Sequence, residues 1–324
     1  MPEPYGAGMA LHPQAQALLE QLALAGGPPF ETLPVEQARE GVMGMRELAG
    51  PPPAVARVEE LTIPGSSAPI PARAYVPDGD GLLPVIVYFH GGCFVMGNVD
   101  FLDTPCRALA NSAQAIVVSV EYRLAPEHPF PAAPEDCYDA TCWMAAHAAE
   151  LGGDGQRIAV AGDSAGGNLA AVVALMARDR GTPTLVHQLL LYPITNYAFD
   201  TASYRDCGDG YLLTKALMEW GWSNYLPNPE NADNPYASPL RAEDLSGLPP
   251  ATIITAGFDP LRDEGQAYAR QLQQAGVRAD LKHYEGMIHA FWQLGGVLDQ
   301  GRQVIDDAGT ALRTAFQAQP AATG

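Results

Sequence analysis

The sequence is short of lysine and of basic residues in general. Of its 324 residues only 18 are Lys or Arg, against 37 Asp or Glu, and the only lysines are Lys215 and Lys282. The formal net charge of −19 gives a field that repels nucleic acid and anionic membrane surfaces. We therefore expect neither as a partner, whereas the charge does not exclude neutral small molecules as ligands.

Long apolar runs, secretory signals and clustered cysteines are also missing. No run of 18 or more apolar residues occurs, so we expect no integral membrane association. Residues 1–11 hold no basic segment followed by an apolar run, so we expect no secretory signal. The five cysteines are scattered without metal-ligand spacing, which is typical of reduced thiols. These features predict a cytoplasmic protein without a metal site.

Short apolar runs alternate with longer helical stretches along most of the chain, which is 47% hydrophobic and long enough to bury a sizeable core. Runs rich in valine and isoleucine predict strands at 85–89, 115–121, 157–162, 188–192, 251–256 and 278–284. Helices are predicted between them at 106–112, 135–150, 165–180 and 261–275. This alternation predicts an α/β fold with a mainly parallel sheet covered by helices on both faces.

Three regions depart from that alternation. Residues 1–50 have apolar residues at helical spacing, and 55–63 and 70–76 are predicted to form antiparallel edge strands. Residues 195–234 are rich in aromatics, glycine and asparagine where the next strand is due, which predicts an insertion. The predicted organisation is N-terminal cap helices at 1–50, an α/β core at 51–194, a cap insertion at 195–234 and the C-terminal part of the core at 235–324.

The run Gly162-Asp163-Ser164-Ala165-Gly166 matches the pattern G-x-S-x-G between a predicted strand and a predicted helix. So sharp a turn forces Ser164 into a strained backbone conformation and exposes its hydroxyl at the carboxyl end of the strand. The pattern predicts Ser164 as a nucleophile, the alternative being a serine that caps the helix. We expect Asp163 to play a supporting hydrogen-bond role.

A second glycine-rich stretch, His90-Gly91-Gly92-Cys93-Phe94, follows the third predicted strand. Glycines let the backbone approach a substrate closely, and N–H groups aimed in advance stabilise the negative oxygen of an ester carbonyl under attack. We predict an oxyanion hole built from Gly91, Gly92, Cys93 and Ala165, with the donating N–H groups at the last three. The alternative is a flexible loop at the end of a strand.

These two motifs, together with a run from Tyr122 to Pro131 that reads YRLAPEHPFP, resemble those of the hormone-sensitive-lipase-like family of α/β-hydrolase carboxylesterases and lipases. The resemblance covers about residues 55–315. It implies the α/β-hydrolase fold, with a mainly parallel eight-stranded sheet and a helical cap. That family usually has glycine in place of Cys93, whose Cβ requires either a negative φ or a strained backbone.

A serine hydroxyl needs a neutral imidazole to take its proton, and the imidazole needs a carboxylate to orient it. We predict His289, in a short loop after the last strand, with His283 inside that strand as the alternative. We predict Asp259, at the end of the strand before, with a helix-cap role for it and Asp263 as alternatives. The chain order Ser, Asp, His is that of α/β hydrolases, and the resemblance supports Asp259 and His289.

Apolar residues near the predicted catalytic loops and in the insertion are expected to surround the acyl or alcohol group. The predicted pocket residues are Phe94, Val95, Met96, Tyr192, Phe199, Tyr211, Phe258, Ile288 and Phe291. The resemblance implies short- to medium-chain esters. It also implies a homodimer, because dimers are frequent in that family, often through the last strand.

The sequence therefore predicts a serine carboxylesterase that hydrolyses a small neutral ester through an acyl-enzyme, with no metal and no organic cofactor. One alternative is an amidase or peptidase on the same scaffold. The other is a ligand-binding protein built on a disabled hydrolase, as in the plant hormone receptors that resemble this family. Such receptors lose a triad member, whereas Ser164, Asp259 and His289 are all present.

Overall fold

An eight-stranded sheet lies at the centre of the protein in a computed structural model that describes residues 10–318. The strands are β1 (Arg57–Ile63), β2 (Ile70–Val76), β3 (Leu83–Phe89), β4 (Ile116–Val120), β5 (Gly153–Asp163), β6 (His187–Leu191), β7 (Ala251–Phe258) and β8 (Ala279–Ile288). Their order across the sheet is β1-β2-β4-β3-β5-β6-β7-β8. β2 runs antiparallel to β1 and β4, and the other neighbours are parallel. The predicted fold class is confirmed.

The two strands expected at the edge of the sheet differ in position. β1 is an edge strand, whereas β2 lies between β1 and β4, so the expectation is wrong for β2. The physical reason is burial: Ile70, Ala72, Ala74 and Val76 are all buried, and a strand with that much buried apolar surface is more stable inside a sheet than at its rim.

Helices cover both faces of the sheet and the edge at which the parallel strands end. Within the described residues they are α1 (Pro13–Ala25), α2 (Val35–Met43), α3 (Asp103–Ala113), α4 (Ala132–His147), α5 (Ala165–Arg180), α6 (Ala202–Cys207), α7 (Lys215–Tyr225), α8 (Arg262–Gln274) and α9 (Asp299–Gln317). α9 was not expected from the sequence, although Val304, Ala308 and Leu312 are buried at four-residue intervals, the spacing of an amphipathic helix.

The first helices and the insertion lie together above the carboxyl ends of the central strands. α7 packs against the short 3-10 helix Phe30–Thr32, which follows α1. Residues 1–9 and 319–324, which include most of the stretch searched for a secretory signal, lie outside the described range. Within that range no helix combines the length and the apolar character that crossing a membrane requires.

Candidate active site

Ser164 lies at the turn between β5 and α5, in a backbone conformation that L-residues rarely adopt. Its φ is 55° and its ψ is −116°, which confirms the predicted strain, of order 1–3 kcal/mol. The two flanking glycines are required by contact: a Cβ on Gly162 would lie 2.2 Å from the carbonyl oxygen of Gly166, and one on Gly166 would lie 1.9 Å from that of Phe89. The turn that carries Ser164 therefore packs closely against the end of β3.

Three side chains predicted from separate parts of the chain meet at this turn. His289 follows β8 directly, and its Nε2 lies 3.0 Å from Oγ of Ser164. On the other side of the ring, Nδ1 lies 2.7 Å from Oδ2 of Asp259. With the proton on Nδ1, the ring donates to the carboxylate and leaves Nε2 free to accept the serine proton.

Both carboxylate oxygens of Asp259 accept hydrogen bonds within the protein. Its side chain is fully buried at the end of β7. Oδ1 accepts a hydrogen bond of 2.8 Å from the N–H of Leu261 at the start of α8, while Oδ2 faces the imidazole. The N-cap residue of α8 is Leu261 rather than Asp259, so the helix-cap alternative is wrong. The hydrogen bond from Leu261 fixes the carboxylate, so that its other oxygen is held in the direction of His289.

The alternative residues are engaged elsewhere. His283 lies within β8 and its Nδ1 is 2.9 Å from Oγ1 of Thr255. The carboxylate of Asp263 accepts from the N–H of Ser203 at 2.8 Å and pairs with Arg262. Neither side chain is within hydrogen-bond reach of the serine, and the geometry favours His289 and Asp259.

The loop after β3 turns back on itself above Ser164. Gly92 has a φ of 122°, and a Cβ there would lie 2.1 Å from the carbonyl oxygen of Met96. Cys93 has a φ of 54°, so of the two conformations considered for a cysteine at this position the strained one occurs. Among the described residues, the N–H groups of Gly92, Cys93 and Ala165 donate no hydrogen bond to the protein, and they remain available to a ligand.

Gly91 is the one predicted oxyanion residue that needs correction. Its N–H donates a hydrogen bond of 2.9 Å to Oδ1 of Asp163, so it cannot donate to a substrate at the same time. A Cβ on Gly91 would lie 2.4 Å from Oδ2 of Asp163, which explains the glycine. Gly91 therefore supports the loop rather than the anion.

Asp163 is the centre of a buried hydrogen-bond network. Besides the amide of Gly91, it accepts from the hydroxyl of Tyr88 at 2.8 Å and from Nε2 of Gln293 at 2.7 Å. Burial raises the pKa of the Asp163 carboxyl, and the hydrogen bonds from these three donors oppose that rise. The supporting role expected of Asp163 is thus observed. Sequence reasoning missed Gln293, which lies four residues after His289 in the same loop.

A cavity of about 80 Å³ opens beside Ser164 and His289. Its remaining lining residues come from the N-terminal segment, the loop after β3, the end of β5, the insertion and the loop after β8: Phe30, Val42, Met45, Gly92, Cys93, Met96, Phe101, Asp163, Leu212, Leu213, Leu217, Ala290 and Gln293. Of the predicted pocket residues only Met96 is among them. Six of the thirteen belong to the N-terminal segment or the insertion, and none of these six was expected from the sequence: Phe30, Val42, Met45, Leu212, Leu213 and Leu217.

The other eight predicted pocket residues do not line this cavity. These are Phe94, Val95, Tyr192, Phe199, Tyr211, Phe258, Ile288 and Phe291, and their placement in the pocket is corrected. Phe94 stacks on Tyr225 with ring centroids 3.9 Å apart, and Tyr192 places its ring 4.6 Å from that of His289. Phe258 packs against Tyr211. Phe94 thus packs the loop after β3 against α7, and proximity in sequence to a candidate catalytic residue does not distinguish such a packing contact from a pocket wall.

Arg39 fastens α2 to the loop after β3. Its guanidinium donates to the carbonyl oxygen of Val95 at 2.8 Å and to that of Ala125 at 3.0 Å. It also binds both carboxylate oxygens of Glu127, at 2.8 and 2.7 Å. The hydrogen bond from Arg39 lowers the pKa of Glu127 to about 2. α2 carries Val42 into the cavity, so this contact fixes one cavity wall.

Known proteins similar to this chain are named as esterases. A family model described as the alpha/beta hydrolase fold matches residues 86–293. The chain is 48% identical over 248 residues to carboxylic ester hydrolase LipN of Mycobacterium tuberculosis, a match that covers 74% of this chain and 66% of that relative. It is 42% identical to carboxylesterase NlhH of the same species, over 89% of this chain and 94% of the relative. A thermostable esterase structure from Pseudomonas putida superposes with a TM-score of 0.92 at 41% identity, over 97% of this chain and all of that one.

Proposed function

Because the chain belongs to the hormone-sensitive-lipase-like family of α/β hydrolases and is a carboxylic ester hydrolase, we propose that Ser164, His289 and Asp259 are its catalytic triad. The observation that carries this proposal is the continuous line of two hydrogen bonds, of 3.0 and 2.7 Å, from the serine hydroxyl through the imidazole to the carboxylate. Three groups so placed allow a hydroxyl to be deprotonated as it attacks a carbonyl carbon.

The reaction proceeds in two steps that reuse the same proton carrier. In the first, Oγ of Ser164 bonds to the ester carbonyl carbon while Nε2 of His289 takes the hydroxyl proton, and that proton then passes to the departing alcohol. In the second, His289 takes a proton from water, the hydroxide attacks the acyl-enzyme, and the carboxylic acid leaves as Ser164 recovers its proton. Asp259 stabilises the imidazolium formed in each step.

Negative charge develops on the substrate carbonyl oxygen in both steps. We assign the donors that stabilise it to the N–H groups of Gly92, Cys93 and Ala165. Ala165 is the first residue of α5, so the positive end of that helix dipole also faces the anion. Loss of one such donor typically costs about 10² to 10³ in turnover.

The substrate that this site suits is a small neutral ester of short to medium acyl chain. Its cavity is small and its walls are mainly apolar, with Val42, Met45 and Leu217 on the cap side, and the net charge of −19 disfavours anionic substrates. In this proposal residues 195–234 and the described part of 1–50, residues 10–50, form the cap over a core at 51–194 and 235–318.

Two further features of the proposal concern location and assembly. The five cysteines are all free thiols, which supports a cytoplasmic location. β8 ends the sheet and exposes Leu281, which supports a homodimer formed through this strand.

The test is covalent labelling with a p-nitrophenyl phosphonate followed by peptide mass spectrometry. We expect one adduct, on Ser164, together with loss of esterase activity. Ser164→Ala should neither be labelled nor turn over p-nitrophenyl butyrate, whereas Ser119→Ala, which changes a buried serine in β4, should be labelled normally. Turnover retained by Ser164→Ala would refute the proposed nucleophile, and faster cleavage of an anilide than of the matching ester would favour an amidase.

A further inference from the structure

Cys93 lies where the loop after β3 touches the cap. The residue is 3% exposed and lines the cavity together with Ser164. Burial raises the pKa of its thiol to about 12, so the group is neutral at physiological pH and is unsuited to act as a second nucleophile. Its side chain therefore acts through the space it fills.

The contact on the cap side is with Gly221 of α7. A Cβ added to Gly221 would lie 2.7 Å from Cβ of Cys93, closer than real Cβ atoms approach, and 3.0 Å from its carbonyl oxygen, which is a tight contact. Leu217, one turn earlier on the same helix face, is itself a cavity wall. The fit of Cys93 against Gly221 thus determines how closely α7 approaches the oxyanion loop.

The left-handed backbone conformation of Cys93 fixes the direction of its side chain in this contact. At a φ of 54° glycine would be the unstrained residue, so the cysteine is held there by the packing around it rather than by its own preference. Removing its side chain would leave the backbone donor in place and subtract two heavy atoms from the rim of a cavity of about 80 Å³.

We propose that Cys93 is a specificity-determining residue, whose side chain, packed against Gly221, limits the size of the ester group that fits beside Ser164. The proposal rests on the function proposed above, since it assigns the cavity beside Ser164 to substrate. An uncharged side chain at the mouth of the oxyanion hole excludes larger groups by contact without contributing to the chemical steps.

The test compares kcat/KM across two ester series. One series keeps p-nitrophenol and lengthens the acyl chain from acetyl to hexanoyl, and the other keeps acetyl and lengthens the alkyl alcohol. Cys93→Gly should raise the ratio of the longest to the shortest member by about tenfold in the series whose variable group occupies the cavity. Cys93→Ala should raise it in the same direction by less. Cys137→Ala, which changes a buried thiol on α4 away from the cavity, should leave both ratios unchanged.

A double-mutant cycle tests the contact itself. Gly221→Ala should lower kcat/KM and the melting temperature in the natural background, because the new methyl group meets Cβ of Cys93. In the Cys93→Gly background the same change should cost less in both measurements, with the remaining cost due to the carbonyl oxygen at 3.0 Å.

Several outcomes would overturn the proposal. Unchanged ratios in both series for Cys93→Ala and Cys93→Gly would do so, and so would an equal cost of Gly221→Ala in both backgrounds. Loss of all turnover in Cys93→Ala would show that the thiol is needed for more than size. Phosphonate labelling of Ser164 in the natural protein separates these cases from failure of the proposed function, in which Ser164 would not be labelled.

Discussion

Nε2 of Gln293 lies 2.7 Å from Oδ2 of Asp163 and so joins the loop that carries His289 to the turn that carries Ser164. The other oxygen of the same carboxylate holds the amide of Gly91. One buried carboxylate therefore connects the turn at Ser164, the loop after β3 (the proposed oxyanion loop) and the loop that carries His289 (the histidine loop). Its position beside Ser164 makes it a structural support for all three.

Removal of the Gln293 amide should loosen this connection. Gln293→Leu leaves one oxygen of Asp163 without its donor in a buried site, which typically costs about 1–3 kcal/mol. We expect kcat to fall at least tenfold with little change in KM, since the substrate still enters but the histidine loop is less well placed. Gln303→Leu, an exposed glutamine on α9, is the matched control. A rise in KM with constant kcat would instead indicate that Gln293 contacts the substrate directly.

The sheet and the three residues of the proposed triad could be predicted because their signals are local. Ser164 and Asp259 each follow a short apolar run, and His289 follows the last predicted strand. The carboxyl ends of parallel strands meet at one edge of a sheet. The glycines around Ser164 similarly point to a turn whose close contacts exclude any Cβ.

The cavity walls could not be predicted because they depend on how the cap docks. Val42 and Leu217 lie more than half the chain length apart in sequence, and nothing in either helix indicates that both line one cavity. Residues adjacent to catalytic motifs, such as Phe94 and Phe291, carry the apolar character that a pocket needs but use it to pack the loops. The only indication in the sequence that Gln293 lies at the site is its position four residues after His289.

Asp259 should be required for orientation of the imidazole rather than for binding. Asp259→Asn retains the shape of the side chain but presents an amide to His289, which favours the wrong tautomer, and we expect kcat to fall by about 10⁴. Asp263→Asn, four residues later on α8, should lower kcat by less than tenfold because it lies outside the hydrogen-bonded line. Equal losses in the two variants would mean that the acid role is wrongly assigned. Steady-state kinetics on p-nitrophenyl butyrate gives both values.

Arg39 should control the cap side of the cavity. Arg39→Ala removes its bonds to the carbonyls of Val95 and Ala125 and leaves Glu127 unpaired. We expect KM for p-nitrophenyl butyrate to rise several-fold because α2, which carries Val42, is no longer fixed to the oxyanion loop. Arg46→Ala, at an exposed position just after α2, is the control, and an equal effect there would show that Arg39 acts only through its charge.

Because His187 is buried, we expect the folded state to lose stability as the pH falls, independently of catalysis. It begins β6, is buried, and has Nε2 at 3.0 Å from Oγ1 of Thr252. Burial lowers the pKa of His187 from 6.5 to about 4. The charge of Asp280 acts to raise this pKa and the charge of Arg278 acts to lower it. Because the folded-state pKa lies below the unfolded one, the unfolded chain binds the proton more readily between these values. The stability contributed by the neutral ring is therefore fully present above pH 6.5 and is lost as the pH falls towards 4.

The size of that loss follows from the two pKa values. Lowering the pH from 7.5 to 5 should reduce the free energy of unfolding by about 2 kcal/mol through this one group. His187→Gln cannot take up a proton in this range. Between pH 7.5 and 5 the free energy of unfolding of this variant, measured with urea, should therefore fall by about 2 kcal/mol less than that of the natural protein, even if the variant is less stable at pH 7.5. His128→Gln changes an exposed histidine and should keep the full pH dependence. An identical pH dependence in the His187 variant and the natural protein would show that the ring is already solvated, or already charged, in the folded state.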